Sequence, residues 1–231
     1  MNKTLRRYGG LAKRFNAIAA LCLGLSLLAG AAYAQSPGAA AANAKPPIRL
    51  LVLGDSLSAG YGLSAGEAFP ARLEGALRAK GHNVNVIAAG VSGDTSAGGR
   101  ARLDWSLADN PHAAIVELGA NDGLRGIDPA ATAENLSAIL KALKDRGTPT
   151  LLAGMLAPPN LGGAYGKEFN ALFPRIAAAH GAALYPFFLD GVAAEAALNQ
   201  ADGMHPNAKG VRVIVARILP AVEQLIGQVK P

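Results

Sequence analysis

The stretch Ile48-Arg49-Leu50-Leu51-Val52-Leu53 is almost wholly apolar and stops at Gly54. A run without polar alternation has no face to offer water. It must be covered on both sides, as a strand of a parallel sheet is. Similar short runs recur at residues 84–88, 113–118, 150–154 and 182–185. Helical spacing separates them. In residues 69–80 the apolar positions are Phe69, Leu73, Ala76 and Leu77, with Gly81 as a C-terminal cap. Residues 95–107 carry Leu103 and Leu107 four apart. Residues 129–144 follow Asp128 as N-cap, and Gly147 lies beyond their end. Residues 165–180 and 211–229 complete the set. Strand and helix alternate throughout, which predicts an α/β fold: a three-layer α/β/α sandwich around a mostly parallel five-stranded sheet. There is no internal repeat and no sign of a second domain.

The chain has 231 residues, 51% hydrophobic and 16% charged, enough apolar material for one sizeable core. Its formal net charge is +6, which by itself would suit a nucleic-acid binder. The location of the charge argues otherwise. Lys3, Arg6, Arg7, Lys13 and Arg14 precede an apolar run from 17 to 32, and Ala32-Tyr33-Ala34 offers an A-x-A cleavage site. That order predicts a signal peptide over residues 1–34 and an exported, periplasmic or secreted protein. The apolar run is short for a membrane span. Cleavage after Ala34 removes five positive charges, lowering the formal net charge from +6 to +1, and a basic nucleic-acid face loses its support. The single cysteine, Cys22, lies inside this segment, with Leu21 a poor neighbour for a lipidated cysteine, so no stable membrane anchor and no disulfide are expected. Residues 35–47 read as a flexible linker and 48–231 as the folded domain, expected to be a monomer.

In parallel sheets, chemistry collects beyond the carboxyl ends of the strands. After the first run comes Gly54-Asp55-Ser56-Leu57-Ser58. After the second comes Val91-Ser92-Gly93-Asp94-Thr95, and after the third Gly119-Ala120-Asn121-Asp122-Gly123. Before the last helix comes Asp202-Gly203-Met204-His205-Pro206-Asn207. Of the four histidines, His180 sits at a helix end, and His82 and His112 precede strands at the opposite edge of the sheet. Only His205 has a carboxylate three residues before it in one turn. Asp202 can hold its Nδ1 proton and leave Nε2 as a base, although a surface turn capping the last helix would look similar. A serine hydroxyl needs such a base, and Ser56 is the candidate nucleophile. The backbone N–H groups of Ser56 and Gly93 and the side-chain amide of Asn121 could serve as oxyanion donors. Each also reads as an ordinary turn residue when taken singly. Gly54–Ser58 lacks the second glycine of a G-x-S-x-G elbow.

Together these segments resemble the SGNH, or GDSL, hydrolase family. Its G-D-S-L-S block is matched by residues 54–58, its second-block glycine by Gly93, its G-x-N-D block by residues 119–122 and its D-x-x-H block by residues 202–205. The stretches LGDSLSAGYG, SGDTSAGG, VELGANDGLRG and DGMHPN are similar to its exported bacterial branch of thioesterases, lysophospholipases and arylesterases. The resemblance implies a flavodoxin-like fold. It also implies cleavage of acyl esters or thioesters through an acyl-enzyme on Ser56, with Asp202 and His205 completing the triad and no cofactor or metal. Ala120 stands where relatives often carry a second glycine, and alanine fits there unless φ is positive. The segment MLAPPNLGGAYG departs from that branch and leaves the substrate open.

Two other classes remain open on the residues alone. The carboxylates Asp55, Asp94, Asp122 and Asp202 near the crevice could serve a metal-dependent hydrolase. The crevice could also hold a lipid or sugar without catalysis. Chelator sensitivity would mark the first, and failure to turn over any ester the second.

Overall fold

A computed structural model describes residues 46–230. The expected signal peptide and nearly all of the linker lie outside the described residues. The strands are β1 (Ile48–Gly54), β2 (Val84–Gly90), β3 (Ala113–Glu117), β4 (Thr150–Ala153) and β5 (Ala183–Tyr185). The helices are α1 (Ser56–Ala59), α2 (Phe69–Ala79), α3 (Ser96–Ala101), α4 (Leu103–Ser106), α5 (Ala120–Leu124), α6 (Pro129–Asp145), α7 (Gly163–His180) and α8 (Ala208–Ile226).

All strand pairings are parallel, in the order β2-β1-β3-β4-β5. This is the flavodoxin-like order, and its switch point lies between β1 and β3. Right-handed crossovers place helices according to the direction of each step. The β1-to-β2 step runs one way and the later steps run the other. Consequently α2, joined by α8, covers one face, while α6 packs with α3 and α7 on the opposite face. Leu50 to Leu53 in β1, all of β3 and all of β4 are buried, as their largely apolar patterns require, and this includes Glu117 at the end of β3 and Thr150 at the start of β4. The edge strands β2 and β5 are only partly covered.

Local chemistry sets the helix ends. Asp128 accepts the Ala130 N–H ahead of α6, and Gly81 takes a left-handed φ of 88° after α2. Two expectations need correction. Residues 95–107 form two short helices rather than one. They meet at Arg102, whose guanidinium is tied to Asp94 and to the Gly54 carbonyl, and Gly98-Gly99 weakens the helical preference just before it. The last helix begins at Ala208, because Asn207 accepts the N–H groups of Lys209 and Gly210.

Candidate active site

The carboxyl ends of β1 and β3 open onto a cleft of about 270 Å³. Ser56 is the first residue of α1. Asp55 caps that helix by accepting the Leu57 N–H at 3.0 Å. Ser56 Oγ lies 3.0 Å from His205 Nε2, and His205 Nδ1 lies 2.6 Å from Asp202 Oδ2. A carboxylate only accepts, so a proton sits on Nδ1, and in the neutral imidazole Nε2 is the nitrogen that accepts the Ser56 hydroxyl. The other Asp202 oxygen accepts the N–H groups of Met204 and His205, at 2.9 and 3.0 Å. These two backbone bonds, and then the bond to the imidazole, hold the Asp202 carboxyl down at about 2.

The loop carrying His205 is fixed from several sides. Asn199 and Pro206 form an antiparallel bridge, and the Gln200 N–H donates to the His205 carbonyl at 2.7 Å.

The other candidate residues fall at the same edge. Gly93 has φ 85°, and a Cβ there would meet nothing closer than 3.9 Å. Among the described residues, no hydrogen bond uses the N–H of Ser56 or of Gly93. Asn121 lies in α5 and lines the cleft, while its Nδ2 donates to Asp94 O at 2.9 Å and to Asp55 Oδ2 at 3.2 Å. The positive φ of this turn belongs to Gly119, at 116°, so Ala120 sits without strain. Leu57, Ala120, Leu124, Leu189 and Met204 give the cleft an apolar lining.

The four crevice aspartates have separate duties. Asp55 caps α1, Asp94 pairs with Arg102, Asp122 accepts from Ser96 and Thr132, and Asp202 holds His205. Among the described residues no three carboxylate, histidine or cysteine side chains converge as a metal site.

Sequence inspection missed Glu117. It ends β3, is fully buried, and accepts the Ser58 hydroxyl at 2.6 Å beneath the Ser56 turn. Gly54 leaves the room it occupies, since a Cβ there would stand 2.6 Å from Glu117 Oε2. Burial, and then the neighbouring Asp55, push the Glu117 carboxyl well above the usual range, and burial lifts Asp55 to about 6. The available signal was a single acid closing an otherwise apolar strand.

Residues 52–213 match the model of the GDSL-like lipase/acylhydrolase family. The chain belongs to that family. It is 38% identical to the esterase TesA of Pseudomonas aeruginosa over 206 residues, covering 89% of this chain and 96% of the relative. It is 43% identical over 159 residues to thioesterase 1/protease 1/lysophospholipase L1 of Escherichia coli K12, covering 68% and 75%. The structure of the psychrotrophic esterase EstA from Pseudoalteromonas sp., inhibited by monoethylphosphonate, superposes with a TM-score of 0.74. It is 35% identical and covers 78% of this chain and all of that one. The GDSL acylhydrolase is thus a serine hydrolase of the ester-cleaving class on a five-stranded parallel sheet.

Proposed function

We propose that Ser56 is the nucleophile, His205 its general base and Asp202 the residue that orients and supports His205. Ser56 Oγ attacks the carbonyl carbon of the ester or thioester. Its proton passes to His205 Nε2, and the carbonyl π electrons move onto oxygen. The N–H groups of Ser56 and Gly93 and the amide of Asn121 stabilise that oxyanion. Collapse expels the alcohol or thiol, which takes the proton from His205. Water then repeats the sequence on the acyl-enzyme and releases the acid. The observation that carries this reading is the unbroken chain from Ser56 Oγ to His205 at 3.0 Å and on to Asp202 at 2.6 Å. The unused N–H groups of Ser56 and Gly93 and the apolar cleft beside them support it.

The cleft volume falls just below the ~300–1,000 Å³ usual for small-molecule pockets, which favours short or medium acyl groups. Aryl esters, acyl-CoA thioesters and lysophospholipids are the substrate classes to compare, one relative being named an esterase and another a thioesterase and lysophospholipase. We further propose that the mature protein is an exported monomer without a stable membrane anchor. Among the described residues no helix is long and apolar enough to cross a membrane.

The test is covalent labelling. A serine-directed phosphonate should modify Ser56 and abolish turnover of an aryl ester, with a chelator leaving turnover intact. Labelling elsewhere, or inactivation by chelator that added metal reverses, would refute the assignment.

A further inference from the structure

Tyr61 is 54% exposed, so it does not serve as a core filler. Its ring nevertheless has a defined place. It lies against the imidazole of His205, with centroids 4.6 Å apart and planes inclined at 37°.

The backbone around Tyr61 is built to hold it there. Gly60 and Gly62 flank it with φ of 76° and 73°. A Cβ on Gly60 would lie 2.5 Å from the Ala68 Cβ, and one on Gly62 would lie 2.2 Å from Gln200 Oε1. Only glycine suits both positions. The Tyr61 N–H donates to the carbonyl of Ser56 at 3.1 Å, and the Tyr61 carbonyl accepts Gln200 Nε2 at 2.7 Å. The same Gln200 nitrogen donates to Pro206 O at 3.0 Å, and the Gln200 N–H donates to His205 O at 2.7 Å. Tyr61 is therefore strapped at one end to the Ser56 residue and at the other to the loop that carries His205.

We propose that Tyr61 is a positioning residue for His205, and that Gln200 is the clamp that sets its ring against the imidazole. The inference rests on the reading of His205 as the general base. Asp202 holds the imidazole at its Nδ1 edge and Ser56 touches it at Nε2, so neither contact presses on the face of the ring. A second ring against that face adds the missing restraint. The contact also changes value during the reaction. When Nε2 takes the Ser56 proton, the imidazole becomes a cation, and an aromatic face within about 6 Å attracts a cation. An interaction that strengthens as charge develops lowers the barrier without tightening substrate binding.

The experiment compares kcat and KM on one aryl ester, using the mature protein with folding checked by circular dichroism. Tyr61→Leu should lower kcat about 3–10-fold and leave KM within twofold, the range expected of a partly exposed cation–aromatic contact. Tyr61→Phe and Tyr61→Trp should keep kcat within about twofold, because the ring face and not the hydroxyl is what acts. Gln200→Met has similar length and no donor, and should lower kcat by a similar factor. Combined with Tyr61→Leu it should add little further loss, because both changes break one linkage. An unchanged kcat in Tyr61→Leu would overturn the proposal. So would a raised KM at constant kcat, which would make Tyr61 a substrate contact, or a Tyr61→Phe as slow as Tyr61→Leu. His205→Ala, measured alongside, separates the two levels. If that variant keeps its activity, it is the reading of His205 as base that falls.

Discussion

The side-chain amide of Asn121 donates to the buried carboxyl of Asp55 at 3.2 Å, tying the turn after β3 to the turn that carries Ser56. An amide nitrogen has two hydrogens, and the second goes to Asp94 O at 2.9 Å. An oxyanion in the cleft therefore competes with Asp55 for the more weakly held hydrogen.

Asn121→Ala removes one proposed oxyanion donor and also strips Asp55 of a partner. The expected outcome is a fall of about 10²–10³ in kcat, with KM little changed, together with a lower melting temperature. Steady-state kinetics and a thermal melt on the same sample check it. Activity within a few-fold of the parent would show that Asn121 serves the fold alone.

Ser56→Ala and His205→Ala should each remove nearly all activity, and the double variant should be no worse, since in the proposed mechanism the two act as a unit. Asp202→Asn should lose clearly less than His205→Ala. In the serine-protease template the equivalent change costs about 10⁴, because an amide favours the wrong tautomer. Here an asparagine oxygen can still accept the Met204 and His205 N–H groups, and the Asn199–Pro206 bridge still holds the loop. Equal loss in the two variants, measured as kcat on one ester, would mean that the loop does not orient the imidazole by itself.

Acidity should act on the fold in two opposite senses. Asp202 is lowered in the folded protein, so its contribution is present above the ordinary value of 3.8 and is lost as pH falls towards about 2. Asp55 and Glu117 are raised by burial, so the folded chain keeps protons that the unfolded chain gives up. Their contribution is complete below the ordinary carboxylate range and is lost as pH rises, for Asp55 between 3.8 and about 6. Glu117→Gln leaves the Ser58 hydroxyl an uncharged acceptor. Melting temperatures at pH 5 and pH 8 should differ less in this variant than in the parent. The same difference in both proteins would remove Glu117 from the account.

Export should leave Gln35 at the amino terminus, within a few residues. Amino-terminal sequencing of material recovered outside the cytoplasm checks this, and an intact Met1 there would end the signal-peptide reading.

The central strands were legible in the sequence because burial on both faces leaves a local mark, a short run that is almost wholly apolar, and the edge strands β2 and β5 carried a weaker form of it. The turns at 54–58, 119–123 and 202–207 were legible for the complementary reason, since polar and glycine residues cluster where the chain must reverse. Asp202 and His205 could be paired because three residues of one turn separate them. The contact between Ser56 and His205, 149 residues apart, had no such mark. It depends on the loop between β5 and α8 returning over the end of β1, which no local periodicity specifies. The same holds for Ser58 with Glu117 and for Tyr61 with His205. It holds also for the break at Arg102, where a distant carbonyl takes the guanidinium. Composition and spacing along the chain determined which elements form and which residues could do chemistry. Packing between distant elements decided which of them meet, because contact energies act through space and a sequence records only neighbours along the chain.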